Sequence, residues 1–185
     1  MKTIVFFRHA EAERRSASGR DRDRALDERG REAARTMGCF LQIAAETPPL
    51  AVTSTARRAV ETLDLARDAG GWPCRVLARD ELYDSTPGAV LDLIQDLKEP
   101  VDSLLLVGHE PTWSDMVARF AGGTRLRLPA GSMARVDIAA SSWEDVEFEA
   151  GQLVWLVSPK LLGDARLERL ARPGAEPEAP PVFAD

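Results

Sequence analysis

Apolar and polar positions follow two periods along the first 120 residues. Residues 3–7 (TIVFF) are β-branched or aromatic without a break, the pattern of a short buried strand. Residues 14–24 (RRSASGRDRDR) have no apolar periodicity and read as a loop. A helix then opens at Asp27-Glu28-Arg29-Gly30. Ala33, Met37, Phe40, Leu41 and Ala44 recur on one helical face, and Pro48-Pro49 ends it. Residues 50–53 suggest a strand, and Ser54 or Thr55 can cap the helix expected over about 56–69, which stops at Gly70-Gly71. Residues 75–78 read as a strand. Residues 86–98 read as a helix with Val90, Leu91, Ile94 and Leu97 on one side. Residues 103–107 (SLLLV) give the strongest strand signal. Thr112 with Asp115 resembles a capping box for a helix carrying Met116, Val117 and Phe120.

From Gly122 the rhythm changes. Residues 133–138 and 152–157 look like two strands joined by a polar, acidic stretch, the pattern of an antiparallel pair. The strand–helix alternation before residue 122 implies an α/β fold with a mostly parallel central sheet and helices on both faces. Residues 1–162 read as a single domain. Residues 173–185, rich in Pro, Ala and Glu, have the composition of a disordered tail.

Composition narrows the function classes. The chain has 185 residues, 44% hydrophobic and 29% charged, as an ordinary globular protein does. Its formal net charge of −6 and pI near 5.1 argue against a nucleic-acid partner, which calls for a basic face. No apolar run approaches the ~20 residues that cross a bilayer, so no membrane partner is expected. The first apolar run is broken by Arg8 after five residues, unlike a signal peptide. Cys39 and Cys74 are far apart, lie in no CxxC and read as core residues, with the cytosol as the natural compartment.

The candidate chemistry lies at strand ends. The chain has two histidines, His9 and His109, and each directly follows a strong strand pattern. In a parallel sheet those ends share one edge, where open α/β folds bind ligands. Arg8 joins them, as does one of Arg57 and Arg58 in the first turn of the helix after Ser54, whose N-terminus favours anions. Two imidazoles and two guanidiniums suit a dianionic tetrahedral group. A neutral histidine can attack phosphorus and carry the phosphoryl group. Protein cations supply the charge, so no metal and no cofactor is called for; the sequence holds neither a Walker-type loop nor a dense carboxylate cluster. Taken alone, Arg8 and His9 also fit a surface charge beside a hydrogen-bonded strand-end histidine. Residues 14–24 fit either a solvated linker with self-pairing charges or a basic rim drawing anions toward His9. Ser54 reads as a cap rather than a nucleophile, because no G-x-S-x-G surrounds it. Trp113 follows His109 closely enough to wall the pocket.

The motifs as a set carry a resemblance. RHA at residues 8–10 resembles the Arg-His-Gly signature of the histidine phosphatase superfamily, with Ala10 in place of the glycine. LDERG at 26–30, TSTARRAVET at 53–62, ELYDSTP at 81–87, LLLVGHEP at 104–111 and LPAGSMA at 128–134 resemble blocks of the small SixA-type phosphohistidine phosphatases, in family order. The resemblance implies a three-layer, phosphoglycerate mutase-like sandwich and a role for each matched residue. His9 matches the phosphorylated nucleophile, Arg8 the adjacent phosphate clamp, and His109 the second histidine. Ala59 and Thr62 fit the register that selects Arg58 over Arg57. Asp84 lies at the offset where larger relatives carry a general acid, with Glu81 the alternative; either can equally be a loop carboxylate. The implied substrate is phosphohistidine on a protein partner. A small phosphoester or phosphoanhydride is the alternative, and a non-catalytic phosphoprotein-binding module a third reading. A mutase is disfavoured, since nothing identifies a site for returning the phosphoryl group.

Overall fold

The computed structural model describes residues 1–123 and 125–163. The expected tail at 173–185 lies outside the described residues. Among the described residues five α-helices and six strands follow in chain order: β1 (Lys2–Arg8), α1 (Glu28–Ile43), β2 (Leu50–Ser54), α2 (Arg57–Gly70), β3 (Arg75–Arg79), α3 (Pro87–Gln95), β4 (Ser103–Gly108), α4 (Thr112–Phe120), β5 (Met133–Ile138), β6 (Gly151–Val157) and α5 (Pro159–Leu162). The strands form one sheet in the order β3-β2-β4-β1-β5-β6. The first four run parallel, while β5 is antiparallel to both β1 and β6. This is the α/β sheet with an antiparallel C-terminal edge that the pattern implies.

Side-chain alternation divides the core between the two faces of the sheet. Ile4 and Phe6 pack with Val90, Ile94, Met116 and Phe120 of α3 and α4. Val5 and Phe7 pack with Met37, Leu41, Leu63 and Ala66 of α1 and α2. The inner strands are therefore apolar on both faces, which is why their sequences run hydrophobic without alternation.

Several local expectations are corrected. The buried stripe of α1 is Gly30, Ala34, Met37, Gly38 and Leu41, rather than one containing Ala33 and Ala44. The cause is Gly38: a Cβ there would lie 2.0 Å from the Ala66 carbonyl oxygen, so α2 approaches over the small residues. Phe40 instead meets Trp155 edge-on, with ring centroids 5.3 Å apart. Neither Ser54 nor Thr55 is the N-cap of α2. That position is Ala56, and the Thr55 hydroxyl bonds to Asp80. Thr112 and Asp115 form no capping box. Pro111 is the N-cap of α4, and the Thr112 hydroxyl donates to the Ser85 carbonyl at 2.6 Å. Helix α3 stops at Gln95, with Asp96 as its C-cap, short of Lys98. Cys39 and Cys74 are free thiols and only half-buried. Among the described residues no helix is long and apolar enough to cross a membrane.

Candidate active site

Sheet register brings the two histidines together. In the parallel β1–β4 pair Arg8 lies opposite Gly108, and the His9 amide donates to the Gly108 carbonyl at 2.9 Å. The next residue on each strand is a histidine, and the two imidazole centroids are 5.0 Å apart. Strand β2 flanks the other side of β4, with Thr53 opposite Val107. Its last residue, Ser54, therefore meets the second histidine, with Oγ 2.9 Å from His109 Nε2. The chain then turns into α2, whose second residue, Arg58, is 7% exposed and donates Nε–H to His9 Nε2 at 3.2 Å.

Trp113 forms the floor under this arrangement, not its wall. It is fully buried, and its indole N–H donates to the Phe7 and Leu106 carbonyls at 3.1 and 3.2 Å, tying β1 to β4 just before the histidines. Gly108 must be small, because a Cβ there would lie 2.6 Å from the indole ring.

The hydrogen bonds of His9 set its chemistry. Nδ1 lies 2.8 Å from the Ala10 carbonyl, which can only accept, so Nδ1 carries the proton. The lone pair is on Nε2, where Arg58 donates. Burial chiefly, then Arg58 and Arg8, holds the imidazolium form back and lowers the His9 pKa from 6.5 to about 4. His109 is lowered to about 3 by burial first, then by His9 and Arg58. Both rings are neutral near pH 7.

Arg8 donates to the Leu128 carbonyl at 2.7 Å, and its burial lowers its pKa against the opposing field of Glu110. Two buried donor positions beside the histidines, Arg8 Nε and His109 Nδ1, have no hydrogen-bond partner among the described residues. Buried donors of this kind are costly unless an acceptor meets them, and a tetrahedral oxyanion supplies several.

An open cleft of about 530 Å³ adjoins these groups, lined by Arg58 and His109 together with Asp21, Tyr83, Asp84, Glu110 and Asp115 among others. Of the two acids expected here, Asp84 lines the cleft, whereas Glu81 lines a separate groove with Arg79 and Asp92. Arg57 is exposed and pairs with Glu61 at 2.7 Å, away from the histidines.

Three cleft residues escape sequence reasoning. Asp21 lies in the loop read as solvated or as a basic rim; its carboxylate meets Arg58 at 3.0 Å, Arg24 at 2.7 Å and the Tyr83 hydroxyl at 3.0 Å. Hydrogen bonding to Arg24, against a burial effect that raises it, brings its pKa down to about 2. Tyr83 packs edge-on against His109 at 5.6 Å, and the Arg58 guanidinium lies 5.9 Å from its ring centroid. Glu110 accepts from the Ser114 hydroxyl at 2.7 Å. Only the position directly after His109 hints at Glu110; nothing local distinguishes Asp21 from Asp23.

Comparison with known proteins gives this geometry a family. The family model of the histidine phosphatase superfamily, branch 1, matches residues 4–100. The uncharacterized protein Rv1276c of Mycobacterium tuberculosis strain H37Rv is 33% identical over 150 residues, covering 76% of this chain and 92% of that protein. A protein provisionally assigned as the phosphohistidine phosphatase SixA of Nakamurella multipartitia superposes with a TM-score of 0.74 at 27% identity, over 85% of this chain and 96% of that one. The protein histidine phosphatase SixA complexed with tungstate gives 0.76 at 24% identity, over 87% and 99%, a likeness of fold. With its fold, its paired histidines and these matches, the chain belongs to branch 1 of the histidine phosphatase superfamily.

Proposed function

We propose that the chain is a metal-independent phosphatase that forms a covalent phosphohistidine on His9, and that its substrate is phosphohistidine on a protein partner. The observation that carries the reading is the His9 tautomer: Nδ1–H bound to a carbonyl, and an unprotonated Nε2 facing the Arg58 guanidinium. Nε2 attacks phosphorus, and the bond from phosphorus to the leaving nitrogen breaks. The departing imidazole takes a proton from solvent or from a cleft acid. Water then attacks phospho-His9, gives up a proton and releases inorganic phosphate, restoring the Nε2 lone pair. Arg8, Arg58 and the Nδ1–H of His109 hold the oxygens that gain charge, usually the largest catalytic effect.

Asp84 is the proposed general acid. Asp21 is a poor donor, since its carboxyl is ionised far below neutral pH. A strong acid is dispensable when the leaving group is an imidazole, and essential when it is an alkoxide. Two features support a protein-borne substrate: the cleft is open, and the SixA structures that resemble this chain at 25–27% identity are provisionally assigned as phosphohistidine phosphatases.

The test is turnover in EDTA. The protein is expected to hydrolyse both an aryl phosphate and a phosphohistidine-bearing protein with chelator present. Arg58→Ala is expected to lose about 10²–10³ in kcat, the scale of removing one oxyanion donor. Arg57→Ala should stay within about twofold, because its exposed guanidinium pairs with Glu61 rather than with a histidine. Activity that requires added metal, or equal losses from the two arginine variants, would reject the reading.

A further inference from the structure

The loop over residues 12–26 is a built structure beside the cleft. Its base is closed by the Ala12–Leu26 bridge, by the Glu13 amide on the Ala25 carbonyl at 2.9 Å, and by Arg24 Nε on the Glu13 carbonyl at 2.6 Å. Its tip is braced by Ser16 on the Arg20 carbonyl at 2.6 Å and by Arg20 on Asp23 at 2.9 Å. Asp21 pins it to Arg58 at 3.0 Å. The loop encloses a groove of about 390 Å³ lined by Arg14, Arg15, Arg20, Arg24, Asp21 and small residues, so Asp21 is a wall shared with the cleft.

Charge within the groove is not balanced. Arg20 faces Asp23, Arg22 faces Asp80 and Arg24 faces Asp21. Arg14 and Arg15 are exposed and make no ion pair or hydrogen bond through their side chains among the described residues. This happens in a chain where acids outnumber bases 30 to 24. The field of this loop also reaches the nucleophile, since Arg24 is among the cations disfavouring a charged His9.

We propose that this groove is a second anion subsite. Through Arg14 and Arg15 it takes an acidic group of the substrate other than the phosphoryl group being transferred. The proposal rests on the phosphatase reading above and narrows its substrate to molecules carrying a second carboxylate or phosphate near the first. No residue of the subsite takes part in bond breaking, so its effect belongs in kcat/KM through binding.

The experiment compares wild type with Arg14→Ala/Arg15→Ala and with Arg14→Glu/Arg15→Glu. One arm uses a phosphohistidine peptide flanked by glutamates against its glutamine counterpart; the other uses a sugar bisphosphate against the monophosphate. Aryl phosphate, which has no second anion, is the reference substrate. Wild type is expected to favour the more anionic member of one pair by about fivefold to thirtyfold, two surface ion pairs' worth. Added salt should erode that preference. The alanine variant should bring it to within about twofold, and the glutamate variant should invert it. The arm that shows the preference identifies the source as protein or small molecule. Equilibrium binding of the same two peptides to His9→Ala chains, with and without the arginine substitutions, reads the subsite without turnover. Inactivity on aryl phosphate therefore sinks the phosphatase reading, while binding still judges the subsite. No preference in either arm or in binding, or a preference that survives the glutamate variant, would overturn the proposal.

Discussion

Ser54 decides which nitrogen of His109 carries a proton. Its Oγ accepts the Ala56 amide at 3.3 Å, and among the described residues its hydroxyl proton has no acceptor other than His109 Nε2 at 2.9 Å. Nε2 then accepts, and Nδ1 bears the hydrogen, free to donate to the oxyanion of the proposed reaction. Ser54→Ala removes that control and leaves a buried ring nitrogen unpaired, a penalty of about 1–3 kcal/mol. The expected result is a kcat on aryl phosphate lower by about tenfold to a hundredfold, with the His109 ring shown by ¹⁵N NMR to leave its Nδ1–H form. An unchanged kcat with an unchanged tautomer would remove Ser54 from the account. The sequence could name His9, Arg8 and His109 as candidates because each sits at the end of a strong strand pattern. It could not assign Ser54 this task, because the contact depends on β2 lying next to β4, and strand order leaves no local trace.

Elements were legible where periodicity was long and apolar, and less so where small residues set the packing. Strands β1 and β4 and the buried side of α4 follow their patterns, since Met116, Val117 and Phe120 are all fully buried. Helix α1 departs from its pattern because glycine carries no hydropathy signal, although Gly38 governs the α1–α2 distance. Gly38→Ala puts a methyl group 2.0 Å from the Ala66 carbonyl oxygen, so the helices must separate. The gain in helix propensity is about 1 kcal/mol. Overpacking against backbone costs about 1–3 kcal/mol and commonly more where nothing can yield. A lower thermal midpoint is expected in an unfolding scan, and a raised midpoint would show that the two helices are free to part. The loop at 14–24 was the least readable segment. Its contacts run from Asp21 to Arg58 and Tyr83, across 37 and 62 residues, and no short-range pattern reports them.

The whole molecule ties its stability to the same two rings. Its only histidines have pKa values of about 4 and about 3 in the fold, against about 6.5 in an unfolded chain. Between those values the unfolded state binds more protons, so stability falls as pH drops from about 6.5 toward 4 and is independent of these groups above that range. The Asp21 contribution has the usual carboxylate sign: it is present above about pH 4 and lost as pH falls toward 2. The window from about pH 7 to 5 therefore reports the histidines. Urea midpoints are expected to decline across it in wild type and to decline less in His109→Gln; equal declines would mean that His109 is not held neutral by the fold. At this scale the catalytic claim reduces to one residue, because the sheet register and Arg58 together fix His9 with an unprotonated Nε2. The most direct measurement is to stop turnover of a phosphorylated substrate in alkali, where phosphohistidine survives, and to locate the phosphoryl group by peptide mass spectrometry. The account predicts that it is found on His9. Phosphoryl label on any other residue, or an unlabelled chain during active turnover, would contradict it.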